Sequence, residues 1–449
     1  MRRALAIPPI VPLLLFLALP ALAQPPAPAP DPRVDWLRAN AVRIRSISPE
    51  DRDFSDLQPL KKILGDSRVV LLGEQSHGDG SVFLAKTRLI QFLHEEMGFD
   101  VLAFESGLFD CRRAWEALQA GEDPVGAVRR GVFGIWTRSE QVIPLMEYLG
   151  RRVRTQRPLE LVGFDNQFTA SASRDFVVAD LAEYLRRIGS PAPEAPDWKV
   201  FAGTLQALAE AAYVQGMLPE PSAAEQERFR KRLRDLREEI GRRSAPRPDW
   251  DALFWQQMMD SIGAYTHSEW IDASLTEITD EGRQARDEQM GRNLIWLANE
   301  RYPGRKVIVW AATFHNARNL RKLDPGLGNP ELKKIYENFA AMGEVAHRTL
   351  GDKMYSLGFT AAAGRAGSAF GIPKNLSKPS PGSLEDLMER AGLENALVDF
   401  RNPPRGGSWL REPLISRPLG YTEMKGNWSE VLDGMMFIRE MTPSTRAEQ

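Results

Sequence analysis

VVLLGEQSHGDGSVFLAKTRLIQFLHEEMGFDVLAFE, residues Val69 to Glu105, reads as a β-loop-α-β unit, and the rest of the chain is organised around it. The β-branched and leucine run Val69-Val70-Leu71-Leu72 stops at Gly73 and is followed at once by Glu74 and His77. Gly78 and Gly80 let the backbone turn, and Ser81 is placed to cap a helix whose apolar positions Phe83, Leu84, Leu89, Ile90, Phe92 and Leu93 recur at helical spacing. That helix is expected to end near Gly98. A second apolar run, Val101-Leu102-Ala103-Phe104, then ends on Glu105. In an open parallel sheet, ligands bind at the carboxyl ends of the strands, where both acids fall.

Outward from this unit the pattern continues in kind. Trp36 to Leu64 reads as one or two leading helices, with Ser48-Pro49-Glu50-Asp51 as a helix start. Ala114 to Tyr148 is helical, with turns at Gly121 and Gly134. Leu159 to Phe164 is a third strand, ending on Asp165. From Ser173 to about Ala298 the pattern is helical, with a capping box at Ser222-Ala223-Ala224-Glu225 and Phe229, Leu233, Leu236 and Ile240 on one stripe. Val307 to Trp310 is a fourth strand leading to His315, and a helix is expected around Glu331 to Leu350. Strands at Met354–Phe359, Ala396–Phe400 and Gly434–Ile438, with a capped helix from Ser383 to Arg390, complete the chain. The expected class is α/β: a mostly parallel central sheet flanked by helices, with a large helical insertion over about 173–298 beside the edge where the ionisable residues gather.

The 449 residues are 43% apolar and 26% charged, enough for an ordinary core. Arg2-Arg3, the apolar run Ile10 to Leu19 and Ala21-Leu22-Ala23 fit a cleavable signal peptide over 1–23. A proline-rich spacer over 24–35 precedes the α/β domain, 36–449. The leader's apolar run is short of the ~20 residues a membrane span needs. The mature protein is therefore expected to be secreted or periplasmic and free of the membrane. Cys111 is the single cysteine, so no internal disulfide can form. With 58 basic residues against 60 acidic ones, nothing in the charge suggests a nucleic-acid partner.

Four strand-like runs end on ionisable residues: Glu74 with His77, Glu105, Asp165 and His315. A parallel sheet would bring all four to one edge. His77 is the candidate general base, because imidazole titrates near neutral pH. Glu74 or Glu105 would accept its other N–H and support the imidazolium. Each residue also has a plain structural role open to it: a loop histidine, a satisfied core histidine, acids at helix N-termini, an Asp-Asn turn. His94, His267 and His347 lie in helical patterns and read as structural. No Gly-x-x-x-x-Gly-Lys-Ser/Thr, Gly-x-Ser-x-Gly or His-Glu-x-x-His run occurs.

With these residues in view, the chain resembles the erythromycin esterase family. The resemblance is carried by Gly73-Glu74-x-x-His77 and the Arg88-Leu89-Ile90 helix, by Gly98-Phe99 with Ala103-Phe104-Glu105, and by Trp136-Thr137-x-x-Glu140. It continues through Gly163-Phe164-Asp165-x-Gln167, Arg286-Asp287-x-x-Met290 and Trp310-Ala311 leading to His315. It implies hydrolysis of a small-molecule ester or lactone without metal or cofactor, linked to macrolide antibiotic inactivation. It also implies that His77 activates water, with Glu74, Glu105 and His315 as catalytic partners. Lys86 falls where the family has an arginine, and Ala312 where macrolide-cleaving members have a histidine. Lys86, with loop amides near Gly78 and Gly80, is expected to stabilise an oxyanion, and Asp165 to contact substrate. Two other readings fit the same residues: a metal-dependent hydrolase using the Glu/His cluster, and a non-catalytic ligand-binding relative.

Overall fold

The strand that opens the organising unit is buried along its whole length and lies in the middle of the main sheet. The structure, a computed structural model, describes residues 31–214, 221–275, 280–326, 330–369 and 371–447. The stretch read as a signal peptide and most of that read as a spacer lie outside the described residues. Eleven strands are present among those described: β1 (Val42–Arg43), β2 (Val69–Leu72), β3 (Phe99–Gly107), β4 (Glu160–Asp165), β5 (Lys306–Trp310), β6 (Met354–Ala366), β7 (Lys374–Asn375), β8 (Asn395–Asp399), β9 (Leu414–Ser416), β10 (Met424–Gly426) and β11 (Gly434–Met441). The main sheet runs β1-β8-β11-β6-β2-β5-β3-β4, with β7 added to β6, while β9 and β10 pair separately. From β11 to β4 every pairing is parallel, and β8 is antiparallel to both of its neighbours.

The chain leaves β2, skips a place to β3, adds β4 at the edge, and later returns β5 between β2 and β3. The four strands that carry the ionisable ends are therefore contiguous and point the same way. Their side chains alternate between two cores, as the pleat requires. Val70, Leu72, Leu102, Phe104, Ile308 and Trp310 face the helices Gly80–Met97 and Ile143–Arg152. Val69, Leu71, Val101, Ala103, Val307 and Val309 face the helical lobe. Burial on both faces is why these strands read as unbroken apolar runs.

The lobe consists of the helices Ser171–Arg187, Trp198–Val214, Ala223–Ser244, Trp250–Leu275 and Asp280–Trp296, and the capping box at Ser222 and Glu225 is present. Four local expectations differ. The helix Pro32–Asn40 begins inside the stretch read as spacer. Ser48 to Asp51 does not start a helix; the carbonyls of Ser46, Asp51 and Asp53 instead accept from the buried Arg88 guanidinium. Ser81 does not cap its helix, because its hydroxyl is bonded to Thr442. The helix expected over Glu331 to Leu350 is two, Pro330–Glu337 and Met342–Leu350. The break has a cause: the Ala340 and Met342 amides donate to Gln284 and Asp287 of the lobe.

β3 carries a bulge in its pairing with β4. Phe104 sits opposite Gly163 and Gly107 opposite Asp165, so β3 holds one more residue than its partner across Glu105 and Ser106. Bulges re-aim side chains, and this one lies where Glu105 leaves the sheet. Gly163 is what lets the strands close: a β-carbon there would lie 2.4 Å from the carbonyl oxygens of both Ser106 and Gly107. Gly163→Ala is expected to lower the unfolding free energy by about 1–3 kcal/mol, the usual range for overpacking, read as a lower urea midpoint with an unchanged slope.

Candidate active site

The turn after β2 delivers two functional side chains within four residues. Glu74 is fully buried and has three donors. His77 Nδ1 lies 2.9 Å from Oε1, Trp136 Nε1 donates to the same oxygen at 2.6 Å, and Lys86 Nζ donates to Oε2 at 2.5 Å. The Glu74 carbonyl accepts from the Thr313 amide at 2.9 Å, tying the β2 loop to the β5 loop. His77 keeps 31% of its side-chain exposure, and among the described residues no hydrogen bond engages its Nε2. Its ring meets Trp136 edge to face, 5.2 Å between centroids.

A second cluster forms at the ends of the neighbouring strands β5 and β3. Glu105 accepts from the Ala312 amide at 2.9 Å and from Arg286 Nη2 at 3.1 Å, and His315 Nε2 stands 3.3 Å from its Oε1. The other nitrogen of His315 lies 2.8 Å from Asp287 Oδ1. Asp165 faces the same guanidinium, with Arg286 Nη2 at 2.6 Å. The electrostatics follow from these partners. Burial disfavours the His315 imidazolium, but Asp287 and Glu105 outweigh it and push its pKa up to about 10. Burial likewise opposes ionisation of Glu105, and the charges of His315 and Arg286 overcome it, holding its carboxyl well below the usual range. Burial pulls Lys86 down to about 8 against the attraction of Glu74. Arg286 is held above its ordinary value by Asp165 and Glu105 in spite of burial.

Glu74, His77, Glu105 and His315 are thus gathered at one sheet edge, and Asp165 joins them through Arg286. Two expectations about contact with substrate do not fit the geometry. Lys86 has no exposed side-chain surface; its ammonium lies 4.0 Å from the centroid of the Trp310 ring and is spent on Glu74, so it stands behind the carboxylate. Asp165 is equally enclosed and is the partner of Arg286. Gly78 packs against Gly367 and Ser368, and Gly80 against Pro443, so these loop positions are covered by other segments. The two histidines also differ in kind. His315 has a carboxylate on each nitrogen, whereas His77 has one nitrogen committed and one open.

Three residues at the site were not singled out as site residues: Trp136, Arg286 and Asp287. Each stood in the stretches that carried the family resemblance. From the residues alone, an Arg-Asp pair inside a helix reads as a solvated face. His94 bonds Tyr148 and the Arg157 carbonyl, and His267 faces Glu281, so neither joins the cluster. Cys111 is buried. Among the described residues no group of three His, Cys, Asp or Glu side chains is arranged to hold a metal ion. Lys86 is the cation beside Glu74, and Arg286 the one nearest Glu105 and Asp165. A cavity of about 660 Å³ in the lobe, floored by Phe201, Leu208, Phe229 and Trp270, shares no lining residue with the cluster.

The sequence profile of the family described as Erythromycin esterase matches residues 94–441. The chain is 27% identical over 441 residues to the YbfO protein of Bacillus subtilis (strain 168), covering 91% of each. It is 25% identical over 449 residues to an Escherichia coli erythromycin esterase type II, covering 91% of this chain and 98% of that one. A solved structure of a mutant of the erythromycin esterase EreC in its open conformation superposes with a TM-score of 0.65 at 17% sequence identity, over 91% of this chain and 99% of that one.

Lys86→Met should leave the buried Glu74 charge unanswered and lower stability by about 3–5 kcal/mol, the usual effect of removing one partner of a buried pair; guanidinium unfolding measures it. His315 gives a pH-dependent counterpart. Its folded pKa is raised from the ordinary 6.5 to about 10, so its contribution is complete below 6.5 and is lost as pH rises through about 10. The stability gap between the native chain and His315→Asn should therefore shrink across that window in urea titrations run at several pH values.

Proposed function

The chain belongs to the erythromycin esterase family, a family of hydrolases, and we propose that it hydrolyses a carboxylic ester or lactone with water activated by His77. One observation carries the proposal. His77 has Nδ1 fixed on Glu74 while Nε2 is open, and His315 has both nitrogens occupied by carboxylates. A general base needs a nitrogen free to receive the proton and a partner to orient the ring. His77 meets both conditions; His315, held as an imidazolium, has partners that orient its ring but no nitrogen free to receive the proton.

In the proposed reaction Glu74 accepts the Nδ1–H, sets the tautomer and balances the charge that forms on the ring. Nε2 takes a proton from water as the oxygen bonds to the acyl carbon. The bond from that carbon to the alkoxy oxygen then breaks, and the proton passes from Nε2 to the departing alkoxide. Arg286 supports the developing oxyanion: it retains 22% exposure, carries a fixed charge and offers a planar fork. Glu105 and Asp165 aim the guanidinium, and Lys86 keeps Glu74 ionised from behind.

The family and its macrolide-cleaving members make macrolide lactones a substrate class to test first, with Ala312 and Lys86 as the points of departure. Export belongs to the same proposal, supported by the basic and apolar leader ahead of Gln24; N-terminal sequencing of the mature protein checks it. Across a panel of esters, lactones and macrolides, His77→Ala should lose about 10²–10⁴-fold in kcat, the usual contribution of a positioned base. Turnover should survive a chelator. Near-normal turnover in the variant would refute the base assignment, and loss with chelator followed by recovery with added metal would favour the metal-dependent reading.

A further inference from the structure

Asp79 occupies the N-cap position of the helix Gly80–Met97, yet no side-chain hydrogen bond caps that helix. An aspartate there ordinarily accepts from the second or third amide of its own helix. This carboxylate is turned the other way. Oδ1 accepts from the Gly367 amide at 2.9 Å, and Oδ2 accepts from the Ser76 amide at 3.1 Å and from the Tyr421 hydroxyl at 2.8 Å. Asp79 has no exposed surface. Ser76 closes the same junction from its side, donating its hydroxyl to the Gly367 carbonyl at 2.7 Å. The turn that carries His77 is thus pinned at the residue before it and the second residue after it.

Tyr421 is held in an unusual conformation to make its contact. It lies in the loop between β9 and β10, where the Thr422 amide donates to the Leu419 carbonyl across Gly420 and Tyr421. Both central residues have φ of 60°. Such turns favour Asn-Gly, and a bulky aromatic residue at positive φ is an outlier. The backbone conformation delivers the hydroxyl to a buried acid behind the His77 turn.

We infer that Asp79, held by Tyr421, is a positioning residue that fixes the Ser76-His77-Gly78 turn and so aims the open nitrogen of His77. The inference rests on the role proposed above for His77. The charged and titratable groups that face the junction are few. Glu74 acts on Asp79 from its own loop, and Tyr421 bonds it from the hairpin with Arg417 acting on the tyrosine. The segments at Gly367–Ser368 and Pro443–Ser444 bring no charged side chain. Burial pushes Asp79 up to about 7 against the Gly367 amide and the Tyr421 hydroxyl. Burial also holds the Tyr421 hydroxyl well above its usual range, so it stays a donor. Acidification below about 7 therefore protonates the acceptor on which three donors converge.

The test uses the full chain with Tyr421→Phe, which keeps the ring and the turn, and Asp79→Asn. Two readouts are taken: hydrolysis of p-nitrophenyl acetate across pH, and the His77 C2–H resonance, assigned with His77→Gln. Tyr421→Phe should lower kcat about 10-fold with KM unchanged, as a small misplacement of a catalytic group does. Because the hydroxyl lowers the pKa of Asp79, its loss should move the acid limb of kcat to higher pH. Besides the inflection from protonation of the ring itself, the His77 resonance should show a second one near pH 7 that moves up in Tyr421→Phe and vanishes in Asp79→Asn. Should Asp79→Asn fail to fold, Tyr421→Phe decides alone. A purely structural role would lower the melting temperature and leave the limb and the resonance unmoved, which overturns the inference. If the native chain cleaves no ester but the resonance reports Asp79, the proposed reaction fails and the positioning inference stands.

Discussion

A carboxylate with no exposed surface has to be answered by hydrogen bonds and charge, and Glu74 imposes that requirement on the centre of this molecule. Its three donors come from its own turn, from the helix that follows, and from the short helix Gly134–Thr137. Its carbonyl takes the Thr313 amide from the loop after β5. Four stretches of chain must meet before this one residue can be buried at low free energy. The contiguous parallel strands β2, β5 and β3 are what bring them together. The same convergence leaves His77 with one nitrogen committed and one open, so the pairing of a buried charge and the asymmetry of the imidazole are a single arrangement.

The second cluster obeys the same rule with a different source of cations. Arg286 and Asp287 are consecutive residues of the lobe helix Asp280–Trp296, and they answer opposite needs. The arginine compensates Glu105 and Asp165 from the sheet, while the aspartate pairs His315 from the β5 loop. Asp287 Oδ1 also accepts the Met342 amide at the start of the helix Met342–Leu350, where an acid is favoured by the free amides and the helix dipole. Asn293, two turns further along, donates to the Phe164 carbonyl at the end of β4. The lobe is therefore fastened to the sheet edge through polar contacts at the site itself, as well as through the apolar core beneath.

The strands were legible because burial on both faces writes an unbroken apolar run, and the four at the site because an ionisable residue follows each. The lobe was legible for the complementary reason: Phe229, Leu233, Leu236 and Ile240 keep helical spacing and all turn inward. What the residues could not announce was pairing across long separations. Lys86 looks like a cation on an amphipathic helix until Glu74 and Trp310 enclose it. Arg88, buried on the same helix, organises the loop from Ser46 to Asp56, which is why a helix expected there is absent. The break between Glu337 and Met342 was hidden for the same reason, since the groups that cause it sit about 55 residues earlier. Ser81 looks like a cap by local chemistry, and only its partner at Thr442 shows otherwise.

Lys86 shows how the size and shape of one cation divide the work within such a site. An ammonium is a compact point charge on a flexible stem, and here it fits a closed space between the Glu74 carboxylate and the Trp310 ring. A guanidinium is larger and planar and binds carboxylates two atoms at a time, so it would suit a position where a flat face can meet both oxygens. With lysine in the buried place, the cation behind Glu74 can hold that carboxylate ionised but cannot reach a reacting group. The cation that retains exposure is Arg286, braced by two acids and contributed by the lobe. On the proposed reading, support for the base and support for the oxyanion then belong to different cations on different layers of the fold. Any shift of the lobe against the sheet would change the second without disturbing the first.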